Sequence, residues 1–108
     1  MASQPTTGSA TWSGAVVRVK GDVDLSTAPA VRAALDQAWR DGKDDLLVDL
    51  SDATFMDCAG LTVLLQARRA WGGRLSVHRP PASLRRILQA LDMEGAFTIV
   101  DVVGPDPR

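Results

Sequence analysis

From Ala15 onward the sequence alternates between two hydrophobic periods, and this alternation limits the possible folds more than any other feature. "AVVRVKG" (Ala15 to Gly21) is β-branched with a period of two and ends at a glycine, which predicts a strand and a turn. A helix is expected next, capped by Ser26 or Thr27, with Pro29 in its first turn and Val31, Leu35, Ala38 and Trp39 on its inner face. It should stop near Gly42. "LLVDLS" (Leu46 to Ser51) is short and apolar on both sides of the pleat, as in a central strand covered on its faces. A second helix runs to Trp71 and stops at Gly72 and Gly73. "RLSVH" is a brief strand broken by Pro80 and Pro81. In the third helix Leu84, Ile87, Leu88 and Leu91 form the inner row and Gly95 lies beyond the end; "FTIVDVV" closes the series as a last strand or edge segment. Strands and helices joined by short connections imply a layered α/β domain with parallel pairing.

A chain of 108 residues suits one domain. A formal charge of -1 provides no field to attract nucleic acid or an anionic membrane, so no partner of either kind is expected. No apolar run approaches the ~18 residues of a membrane span. The single cysteine closes no internal disulfide, and "MASQPTTGSATWSG" lacks the basic and apolar regions of a signal peptide, so a reducing cytoplasm is expected. Residues 1–10 are polar and without period and are expected to be disordered, leaving a domain over residues 11–104.

Chemistry concentrates in "FMDCAGLTVLL", Phe55 to Leu65. Asp57 suits the N-cap of the second helix, where its carboxylate accepts from an unpaired backbone N–H in the positive field of the helix start. Helical steps of three and four align Cys58 with Leu61 and Leu65, and Ala59 with Thr62, Gln66 and Arg69. Cys58 is therefore expected to face inward and Ala59 outward. A thiol at a helix start invites a nucleophile or redox reading, yet Asp57 is adjacent and the only histidine, His78, has no sequence relation to it, so packing is the expected role. Asp22, Asp24, Asp57 and His78 repeat no metal-ligand spacing, and no glycine-rich loop precedes a helix as in a nucleotide cradle. No cofactor is expected.

Three stretches, "GDVDLSTAPAVRAAL", "LLVDLSDATFMDCAGLTVLL" and "LRRILQALDMEGAFTIVD", resemble, in order, the anti-sigma factor antagonists built on the STAS domain. The resemblance implies a single α/β domain with a central mixed sheet of about four to five strands packed with helices. The family typically reads Asp, Ser, Ser or Thr, Gly, Leu where this chain has Asp57, Cys58, Ala59, Gly60 and Leu61. The second hydroxyl residue of that motif is phosphorylated by the partner, an anti-sigma factor with an ATPase/kinase fold. The matching position is Ala59, so the usual acceptor is missing.

What the resemblance implies is a non-enzymatic antagonist that binds an anti-sigma factor and releases a sigma factor. The implied partner surface is Asp24, Asp57, Cys58, Ala59, Gly60, Thr62 and Gln66. Two other readings accompany it: a STAS module of a signalling scaffold or transport system, and a Cys58-based redox sensor or thiol enzyme.

Overall fold

The computed structural model describes residues 14–100. The expectations for residues 1–10 and for a domain start at Thr11 lie outside them. Four strands and three helices alternate: β1 (Ala15–Val23), α1 (Ala28–Arg40), β2 (Leu46–Met56), α2 (Cys58–Trp71), β3 (Leu75–His78), α3 (Ala82–Ala90) and β4 (Thr98–Val100). Short 3₁₀ turns, Gly72–Arg74 and Glu94–Ala96, precede β3 and β4.

The sheet order is β1-β2-β3-β4 and every described pairing is parallel. A mixed sheet was expected; in the described residues each strand reaches the next through a helical crossover, which returns the chain in the same direction. Winding always one way with right-handed crossovers lays the helices on one side of the sheet. Burial follows: Leu46, Val48 and Leu50 of β2 are buried with Val19, Val23, Leu75 and Val77, whereas Leu47 and Asp49, on the opposite side of the pleat, are half-buried. Among the described residues β2 is thus more fully covered on one face than on the other, where its apolar run suggested cover on both. Asp49 instead meets Arg18 of β1 at 3.6 Å on that second face.

Two strands outrun their sequence limits. Gly21 adopts φ 75, which an L side chain resists, but it sits within β1 rather than ending it. The pairing with β2 shifts register between Gly21 and Asp22, as at a bulge, and then continues to Val23 opposite Met56. β2 accordingly extends to Met56, past the Ser51 expected from its apolar run.

Helix interiors follow the apolar rows, with two exceptions. Leu35 and Ala38 of α1 are buried and Val31 packs against the core, but Trp39 is 47 % exposed. It lies one residue round from Ala38, at the border with α2, and meets Trp71 edge-on with centroids 5.3 Å apart. In α3 Leu84 and Leu88 are buried and Ile87 packs against them, while Leu91 is 53 % exposed. Leu91 is the C-cap, and Asp92 with φ 54 ends the helix ahead of the expected Gly95.

Candidate functional site

The C-terminal ends of β1 and β2 bring two segments together. Val23 pairs with Met56, and the Asp57 amide donates to the Val23 carbonyl at 3.2 Å, so the Asp24 turn and the start of α2 share one end of the sheet. The Ser83 hydroxyl accepts from the Met56 amide at 2.9 Å and pins the start of α3 to the same corner.

The turn is organised by Asp24. Its carboxylate accepts from the Ser26 hydroxyl (2.7 Å) and from the backbone N–H groups of Ser26 (2.9 Å) and Thr27 (3.2 Å). These bonds favour the ionised form and hold the carboxyl below its ordinary value, the Ser26 hydroxyl contributing most. Neither Ser26 nor Thr27 caps α1 with its side chain, contrary to expectation. Thr27 is the N-cap residue, but its hydroxyl donates to the Asp22 carbonyl at 2.9 Å, and the backbone carbonyl of Asp24 accepts from the Ala28 amide at 2.8 Å. Asp22 takes a bond from the Thr54 hydroxyl at 2.6 Å, tying the turn to β2.

Asp57 caps α2 as expected, accepting from the Ala59 amide at 2.8 Å. The rotation of the helix differs from the sequence reading: Cys58 is exposed, while Ala59 is half-buried and packs against the core. Gly60 accounts for this. A side chain there would overlap Met56 Cγ and come within 3.0 Å of Met56 Sδ and 3.1 Å of Val23 Cγ1, so this flank lies directly against the sheet. With Gly60, Leu61, Val63, Leu64, Ala67 and Trp71 turned inward, the outward row is Cys58, Thr62 and Arg69. The Thr62 hydroxyl donates to the Cys58 carbonyl at 2.9 Å along that row. Ala59 and Gln66 border it on one flank. The glycine was the signal that sequence spacing overlooked: it marks a close approach, and the side facing it must be the inner one.

The end of the sheet therefore presents Asp24, Asp57, Cys58, the edge of Ala59 and Thr62 together. Gly60 is buried and offers no side chain, and Gln66 stands two turns further along α2. Sequence reasoning missed two members. Leu25, at the tip of the turn, is 83 % exposed, and Phe55 beside Asp22 is 43 % exposed. An apolar residue between Asp24 and Ser26, in a polar turn without helical partners, was the available sign for Leu25.

Cys58 has the exposure that thiol chemistry needs, but among the described residues no hydrogen bond reaches its sulfur. The His78 ring is buried, its Nδ1 2.8 Å from the Val100 carbonyl in the β3–β4 pairing. No group of three His, Cys, Asp or Glu side chains among the described residues could hold a metal ion, and no described helix is long and apolar enough to cross a membrane.

The described residues thus form a parallel α/β module whose polar turn and capped helix start adjoin exposed apolar side chains. More particularly, the chain belongs to the STAS domain family: the family model described as "Mlab, STAS domain" matches residues 8–103. An anti-sigma F factor antagonist of Paenibacillus polymyxa is 31 % identical over 91 residues, covering 81 % of this chain and 75 % of that one. The crystal structure of an anti-sigma factor antagonist from Mycobacterium paratuberculosis superposes with a TM-score of 0.72 at 27 % identity, covering 82 % of this chain and 77 % of the other. The phosphorylated Bacillus cell fate determinant SpoIIAA, at 22 % identity, shares the fold with a TM-score of 0.66 over 90 % of this chain and 89 % of its own.

Proposed function

We propose that this chain is an anti-sigma factor antagonist that acts by binding, without catalysis, and without the phosphate switch at the usual place. The Asp24 turn and the exposed start of α2 dock an anti-sigma factor with an ATPase/kinase fold, in competition with a sigma factor, in the cytoplasm. The observation that carries the reading is the shared corner of the sheet, where the Asp57 amide bonds to Val23 and so joins the two implied contact segments. Similarity to an anti-sigma F factor antagonist supports the choice of partner. Leu25 and Phe55 supply apolar contact area, and Asp24 and Asp57 form a polar border.

Ala59 has no hydroxyl, so position 59 stays in the unmodified form. A phosphate of ~-1.5 to -2 charge at that border would oppose docking by repulsion and desolvation, and Ala59→Asp imitates part of that cost. Binding measured against candidate ATPase-fold anti-sigma factors should be retained by wild type and weakened at least about tenfold by Ala59→Asp and by Leu25→Asp. Failure of wild type to bind any of them removes the reading; undiminished binding by both variants removes the surface. The absent hydroxyl also suits a second reading, a STAS module of a signalling scaffold or transport assembly, which co-purification of such a subunit instead of an ATPase-fold partner would select.

A further inference from the structure

A second feature lies between α1 and α2, along the flanks that carry Trp39 and Trp71. Arg32, Leu35, Asp36 and Trp39 form one wall at helical spacing, and Gln66, Ala67, Arg69 and Ala70 form the other, around a cleft of about 330 Å³. Ala67 and Ala70 bring only methyl groups to this lining. A volume near the lower end of the ~300–1,000 Å³ common for small-molecule clefts suits one or two fused rings.

Trp39 is 47 % exposed and its partner Trp71 only 2 %, so a buried ring holds a half-open one edge-on at 5.3 Å and 76°. The Arg74 guanidinium stands 5.8 Å from the Trp71 centroid and braces the inner indole. The open indole is thus ordered in advance, which lowers the entropic cost of stacking a flat ligand on it. Charge narrows the ligand further. Arg32 and Arg69 line the cleft from opposite helices, and among the described residues neither has a hydrogen bond or ion pair. Asp36 is the one carboxylate in the lining, leaving a single positive charge in excess. A monoanion brings the cleft to neutrality, whereas a dianion leaves it with one uncompensated negative charge.

We propose that the α1–α2 cleft binds a small aromatic carboxylate, its ring on Trp39 opposite Ala70 and its carboxylate met by Arg32 or Arg69. A planar guanidinium can grip a carboxylate through two parallel hydrogen bonds. This site is separate from the docking corner and does not rest on the anti-sigma assignment.

The test is a titration of the full chain with 2-naphthoate, its neutral counterpart 2-naphthamide and 2-naphthyl phosphate, followed by amide and indole N–H resonances. Naphthoate is expected to saturate with a Kd near or below about 1 mM, moving the Trp39 indole and the Ala67 and Ala70 amides, with the amide at least about fivefold weaker. The double variant Arg32→Gln/Arg69→Gln should remove the preference for naphthoate over the amide. Ala70→Leu, at an exposed helix position, should block both ligands while thermal unfolding shows the fold intact. No saturation by about 5 mM, shifts centred elsewhere, equal binding of acid and amide, or tighter binding of the phosphate would each overturn the proposal.

Discussion

Gly60 and Asp24 show how much single residues decide in this corner. Gly60→Ala gains at most about 1 kcal/mol of helix propensity but forces a methyl against Met56 and Val23, both almost completely buried. Overpacking of this kind costs about 1–3 kcal/mol, so a net loss of stability is expected in chemical denaturation, with α2 pushed outward. Asp24 is the polar counterpart. Its carboxyl is held below its ordinary 3.8, so its contribution is complete above the unfolded-state value and disappears as pH falls through the lower, folded one. NMR titration of its side-chain carbon should show the depressed midpoint, and Ser26→Ala should raise it by removing the largest of the bonds that favour ionisation. An unmoved midpoint in Ser26→Ala would refute that attribution.

The start of α2 is where local chemistry controls an entire element. Asp57 meets one unpaired N–H of the first turn, and Asp57→Ala should cost about 1 kcal/mol in urea unfolding; Asp57→Asn, which retains an acceptor, should recover most of it. The cap, the glycine stop at Gly72 and the buried pair Leu84 and Leu88 of α3 were legible because each depends on residues close in sequence. The length of β2 was not, because its continuation past Ser51 depends on pairing with a bulged β1 some thirty residues away. The rotation of α2 was misread because an apolar row was counted along Cys58, Leu61 and Leu65. Cys58 instead shares its side of the helix with exposed Thr62, and the close approach at Gly60 marks the opposite side as the inner one. At the proposed surface, Asp24 and Asp57 were named through the family resemblance, while the exposure of Leu25, 83 %, depends on how the turn stands in the fold.

Across the described residues, the strand pairing is longest on one side of the sheet. β1 and β2 have 9 and 11 residues and β3 has 4, and 3 residues of β4 are described. Leu46, Val48, Leu50, Met56, Leu64 and Trp71, all almost wholly buried, gather the core on β2 and α2. Native-state hydrogen exchange should therefore show amides of β1 and β2 opening only near the global limit and those of Thr98–Val100 opening well below it. Uniform protection across the four strands would contradict this gradient. The sheet order carries one more consequence, for how the chain assembles. Since each described strand pairs with its immediate predecessor, no later strand has to be threaded between two already joined. The chain can add strands in the order in which the ribosome delivers them, with the longest pairing and its crossover helix complete before β3 has been made.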